Sequence, residues 1–154
     1  MSAYVARVEW RRDGQDFLDD NYSRAHEWAF DGGVTVPASA SPHIVPLPCS
    51  VAENVDPEEA FVASLSSCHM LFFLSLAARR GIVVDEYVDE AEGYLEKAAD
   101  GKLTMTRVIL RPRATYAGDD APDAGTIEAL HHRSHELCFI ASSVKTEILT
   151  EIVS

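Results

Sequence analysis

A chain of 154 residues that is 47% apolar and 25% charged has enough material for one packed domain, and its formal net charge of −12 excludes nucleic acid and anionic membrane surfaces as natural partners. Its 13 lysines and arginines form no basic stripe, and three cysteines at spacings of 19 and 70 make no secreted disulfide framework. The opening MSAYVARVEWRRDG is charged early and lacks the apolar run of a signal peptide, so a cytoplasmic setting with reduced thiols is expected.

Taken along the chain, Ala6, Val8 and Trp10 alternate with charged neighbours and predict a half-buried strand. His26, Trp28 and Phe30 alternate in the same way, and Asp31-Gly32-Gly33 predicts a hairpin turn into VTVPA. Residues 37 to 55, PASASPHIVPLPCSVAENV, hold four prolines and predict an irregular loop of a length that often serves function. Residues 56 to 81, DPEEAFVASLSSCHMLFFLSLAARRG, predict a long helix. Asp56 is suited to its N-cap, Pro57 to its first position and Glu59 to a capping box. At the other end Arg79 and Arg80 face the negative pole, and Gly81 stands where a left-handed cap belongs. The 19 uncharged residues from 60 to 78 approach the length of a membrane span, but four serines, His69 and the capped ends point to a core helix buried on all sides.

Beyond it, IVVDEYVDEAEGYLEK and KLTMTRVILRPRATYA alternate and join at Ala99-Asp100-Gly101-Lys102 as a hairpin. Pro122 and Asp123 open a second helix over residues 123 to 138, with Ile127, Leu130, Ser134 and Leu137 on one face, and KTEILTEIVS predicts a last strand. The expected architecture is one α+β domain over residues 1 to 154, with antiparallel sheets around a long buried central helix plus a second helix.

The chemistry centres on Cys68, in the middle of the apolar helix. A thiol with an ordinary pKa of about 8.5 is only a few per cent thiolate at neutral pH, and burial raises that pKa. About three turns from the helix N-terminus, the dipole gives little help. Cys68 is therefore either an inert core thiol or a nucleophile served by a cation from elsewhere, best an arginine. Cys138 lies at the end of the second helix and is a candidate partner if the two helices meet. His131, His135 and Cys138 fall at i, i+4 and i+7 and offer metal-ligand types, yet three ligands on one short helix converge poorly, and no metal is expected. Cys49 has no evident partner and is read as a bystander.

The run from Asn54 through Asp56-Pro57-Glu58 to Cys68-His69 resembles the signature of the OsmC/Ohr family, the osmotically inducible and organic hydroperoxide resistance proteins. Cys138-Phe139-Ile140-Ala141 is similar to a second family motif, Cys-Pro-apolar-Ser, and the order of elements matches over nearly the whole chain. The resemblance implies an OsmC-like fold and a thiol-dependent peroxidase. Cys68 would attack an organic hydroperoxide, Cys138 would resolve the product as a disulfide, and an external dithiol, lipoyl-type or small, would reopen it with no bound cofactor. It further implies that Arg24 and Glu58 assist the thiolate, with Glu58 holding the guanidinium. Phe61, Phe72, Trp28 and Phe139 are candidates to line the entrance. Phe139 departs from the family proline, and the motif serine is displaced to Ser142 and Ser143.

Glu58 and Cys68 stand ten residues apart, about 15 Å along one helix, so the glutamate reaches only the thiol of a second chain crossing in the opposite direction. An intertwined two-fold homodimer is therefore expected, in keeping with the family. The alternative of a different class is a non-enzymatic protein of the same fold that binds an apolar ligand or senses oxidants through Cys68.

Overall fold

The computed structural model describes residues 1–119 and 121–154. The chain divides into two compact units, Met1–Ala60 and Phe61–Ser154.

The first unit holds an antiparallel sheet of β1 (Ala6–Glu9), β2 (His26–Phe30) and β3 (Thr35–Ala38), with β2 in the middle. Asp31, Gly32 and Gly33 close the β2–β3 hairpin as a three-residue loop. Gly33 sits there at φ +92°, which a side chain would disfavour, and the Phe30 N–H donates to the Val34 carbonyl at 2.9 Å. After β3 the proline-bearing segment returns to pair Val55 beside Ala38 as an isolated parallel bridge. The Ser39 hydroxyl accepts from the Val51 N–H at 2.9 Å, which tethers this strandless segment.

Helix α1 (Pro57–Arg79) begins as the residues dictate. The Glu59 N–H donates to Asp56 Oδ1 at 2.8 Å and the Asp56 N–H to Glu59 Oε2 at 3.1 Å, a complete capping box. It ends in a Schellman motif. The Gly81 N–H donates to the Ala78 carbonyl and the Ile82 N–H to that of Ala77, each at 3.0 Å, with Gly81 at φ +72°.

The second unit is built on the rest of α1. A two-stranded sheet pairs β4 (Val84–Asp89) with β7 (Pro112–Tyr116), and a three-stranded sheet orders β5 (Glu92–Lys97), β6 (Leu103–Leu110) and β8 (Glu147–Thr150). Helix α2 (Ala124–Leu137) is capped by Asp123, whose Oδ1 accepts the Thr126 N–H at 2.7 Å.

Two expectations change here. The two long alternating segments each break into two strands, because the Asp89 carboxylate takes the Arg111 N–H at 2.6 Å and the Ser66 hydroxyl with its other oxygen. Pro112, next in line, has no N–H to give, so the ladder passes from one sheet to the other. The last strand is also not antiparallel. β8 pairs parallel to β6, in register from Arg107 with Glu147 to Leu110 with Thr150, because β7 and α2 intervene as a crossover.

Within the chain α1 is buried along a single stripe, Leu65, His69, Phe73 and Ala77, one residue per turn, rather than on all sides. Leu65 packs with Val108 and Leu110, and Phe73 and Ala77 pack with Leu130. Gly93 on β5 lies tight against this core. A Cβ there would collide with Val62 Cγ2 and lie 2.7 Å from Met105 Cε. Gly93→Ala is therefore expected to lower the unfolding free energy by about 1–3 kcal/mol, read as a shifted urea midpoint at unchanged slope.

Candidate functional site

Cys68 lies halfway along α1 and is partly exposed, while Cys138 is the C-cap of α2 and is 1% exposed. Both are free thiols, and Cys68 is near enough to Cys138 to help raise its pKa. The fold thus joins two residues that are 70 apart in sequence.

Their environments differ in a way that matters chemically. Burial pushes the Cys138 thiol up. The Ala141 N–H, at 3.4 Å from Sγ, opposes that shift, and the neighbouring Cys68 sulfur adds to it. The negative pole of α2 works in the same direction as burial. Cys138 is therefore held as a thiol, whereas Cys68 is the more exposed of the two. Phe72, one turn beyond Cys68, meets Phe139, next to Cys138, edge-on at 5.0 Å and 83°. An aromatic pair flanks the thiol pair, and Phe139 is 72% exposed.

Arg24 precedes β2 in the first unit. Its guanidinium bonds Asp20 Oδ1 at 2.9 Å and the carbonyls of Asp20 and Tyr22, and stacks 3.7 Å above the Tyr22 ring. Its own N–H donates to the Cys49 carbonyl at 2.8 Å, so the bystander cysteine at least anchors the backbone beside Arg24. Arg24 and His26 form the polar wall of a cavity of about 520 Å³ whose other walls include Val8, Trp10, Phe17 and Tyr22. The three aromatic rings pack on one another, Phe17 and Tyr22 stacked at 4.7 Å. Glu58 stands in the first turn of α1 and is partly buried. Among the described residues it makes no hydrogen bond or ion pair, and Arg24 pairs with Asp20.

The metal-type residues are arranged otherwise than as a site. His131 is turned inward, with Nδ1 3.0 Å from His69 Nε2, while His135 is exposed. Among the described residues no group of three or more histidine, cysteine or carboxylate side chains is placed to hold a metal ion. The His69–His131 pair went unrecognised in the sequence. Its signal was the position of His69 on the stripe of residues 65, 69, 73 and 77, which a polar residue enters only with a partner.

Among curated proteins none matches the chain. Solved structures do. An OsmC-like protein of unknown function from Vibrio cholerae is 55% identical, aligns over 99% of this chain and 100% of its own, and superposes with a TM-score of 0.97. An organic hydroperoxide resistance protein from Elizabethkingia anophelis shares the fold at 14% identity and a TM-score of 0.71, over 99% of this chain and 94% of its own. The organic hydroperoxide resistance protein of Bacillus subtilis does so at 20% identity and 0.63, over 97% and 98%. The family model for OsmC-like proteins matches residues 51–153, a span holding both cysteines and α1 entire, and the chain belongs to that family.

Proposed function

We propose that this protein is a thiol-dependent peroxidase that reduces organic hydroperoxides. The observation that carries the reading is that the fold makes neighbours of two free thiols of unequal exposure, Cys68 partly exposed and Cys138 buried. The Cys68 thiolate attacks the terminal oxygen of a hydroperoxide. The O–O bond breaks, the sulfur becomes a sulfenic acid, and the alkoxide leaves with a proton as the alcohol. Cys138 then attacks the oxidised sulfur, its proton leaves with the hydroxyl as water, and a disulfide remains. A dithiol of the lipoyl or small-molecule type restores both thiols by exchange, as a reducing cytoplasm would provide.

The charged groups come from a second chain in this reading. Ten helical residues separate Glu58 from Cys68, about 15 Å, so a two-fold homodimer with crossing α1 helices brings Glu58 and Arg24 to the partner's thiol. An apolar α1 with Leu71 60% exposed favours such a partner. There Arg24 pairs with the attacking thiolate and Glu58 orients the guanidinium. The apolar cavity beside Arg24 would receive the organic group of the peroxide.

That same cavity favours a second reading, a non-enzymatic protein that binds an apolar ligand or senses oxidants through Cys68. Stopped-flow mixing of reduced protein with cumene hydroperoxide, and separately with hydrogen peroxide, separates the two. Fast loss of two thiols per chain, preferentially with the organic peroxide, is expected. Arg24→Ala should reduce that rate by roughly 10²-fold or more, the scale on which a preorganised charge is worth in a transition state. Slow oxidation that ignores the peroxide's organic group would favour the binding reading.

A further inference from the structure

The buried imidazole pair of His69 and His131 has no part in the chemistry above. His69 is 1% and His131 3% exposed, and their rings lie nearly parallel at 11° with centroids 5.3 Å apart. His131 also stacks on Phe73 at 4.3 Å. His69 directly follows Cys68 on α1, and His131 lies seven residues before Cys138 on α2. The two helices therefore meet ring against ring at this pair, and the neighbouring thiols of Cys68 and Cys138 mark a second approach. On α2 these are about 10 Å apart along the axis.

We propose that the His69–His131 hydrogen bond is a positioning device that holds Cys68 and Cys138 in the geometry from which their disulfide forms. This rests on the two-cysteine cycle proposed above. Apolar contacts between helices are tolerant of small slips and rotations, whereas a hydrogen bond is directional and weakens steeply when bent. A disulfide is similarly strict, since its Cα atoms must lie roughly 4.4–6.8 Å apart. A helix held at one point pivots, and a tie about two turns from the sulfur removes that freedom. It lowers the entropy that the thiols lose on joining.

The tie needs one ring to donate and the other to accept. A neutral pair does this, and a pair with one extra proton still can. With both rings protonated there is no acceptor, and the tie is lost. The charged groups facing the pair are the Asp89 carboxylate on β4, which favours a proton on His69, and His135 on α2, which opposes it. Tyr87 on β4 packs beside His131 with its hydroxyl kept neutral by burial, and Tyr116 on β7 is held neutral in the same way.

The test reads the thiol pair without peroxide. Wild-type protein and variants are equilibrated in glutathione redox buffers at pH 7, and the fraction of Cys68–Cys138 disulfide is measured by mass after acid trapping. His131→Phe keeps a ring against Phe73 and removes the hydrogen bond. It is expected to lower the intramolecular disulfide equilibrium constant by about tenfold, on the scale of one buried hydrogen bond. His131→Asn puts an acceptor near the place of Nδ1 and is expected to recover most of that loss. His69→Phe supplies the same readout if His131→Phe does not fold. A folded His131→Phe protein with a lower melting temperature but an unchanged constant would make the pair a stabilising contact only, and so would an equal defect in His131→Asn. A wild-type protein forming no disulfide in any buffer would also overturn the proposal. Disulfide formed with glutathione but not with cumene hydroperoxide would instead overturn the peroxidase reading and leave the tie standing.

Discussion

Cys68→Ser is expected to abolish peroxide turnover, a loss of at least about 10³-fold, because a hydroxyl at neutral pH supplies almost no anion and none of the sulfur's affinity for peroxide oxygen. Cys138→Ser is expected to behave differently. Cys68 remains partly exposed, so each chain should still consume one peroxide and then stall one oxygen heavier, as the sulfenic acid. The two variants together assign the roles. If Cys138 were the attacking thiol, the burst would survive in Cys68→Ser and vanish in Cys138→Ser. Burial argues against that reversal, since the thiol of Cys138 is held up in pKa and is closed to substrate. A steady-state assay with a lipoyl-type dithiol and intact-mass measurement after one equivalent of cumene hydroperoxide are sufficient. Retained turnover in Cys68→Ser would remove Cys68 from the attacking role, and a wild type that consumes no peroxide would remove the peroxidase reading altogether.

Much of this site was legible in the sequence, and for local reasons. The capping box at Asp56 and Glu59, the Gly81 terminus and the Asp123 cap each depend on residues within a few positions of one another, so α1 and α2 were readable nearly to the residue. The hairpins at Gly33 and Gly101 share that property, each needing one residue at positive φ. What sequence alone left open depends on residues far apart. The break in the β4–β7 and β5–β6 ladders arises from Asp89 capturing the Arg111 N–H 22 residues away. The parallel direction of β8 follows from the crossover through α2. The partnership of His69 with His131 spans 62 residues. Each histidine in isolation reads as an ordinary helical polar residue, and only the packing of the two helices makes them a pair. The same holds for the thiols, 70 residues apart, whose proximity rests on the fold.

Acid should destabilise this protein before its carboxylates titrate, and the buried imidazoles are the cause. Burial lowers both His69 and His131 from 6.5 to about 4, against the opposing pull of the Asp89 carboxylate on His69. In the unfolded chain the same rings take up protons near 6.5. Between these values the unfolded state binds more protons than the folded one, so stability falls as pH falls. The contribution is fully present above pH 6.5, declines through the interval, and levels off below about 4. For one imidazole the loss by pH 5 is about 2 kcal/mol. The second ring then meets the charge of the first, which extends the loss to lower pH. The measurement is urea unfolding at constant ionic strength from pH 7.5 down to 5, comparing wild type with the double variant His69→Gln/His131→Gln. The double variant is expected to be weaker at pH 7.5 and to have the flatter profile, so that the two curves converge as pH falls. Parallel curves would place the acid sensitivity in other groups and would mean that the rings accept protons without leaving the fold. Convergence would give the imidazole pair a cost that the folded state carries at every acid pH. Retention of so costly a pair in the middle of an apolar stripe is understandable if its hydrogen bond sets the alignment of the two thiol-bearing helices, which an apolar pair of equal volume would leave free to slip.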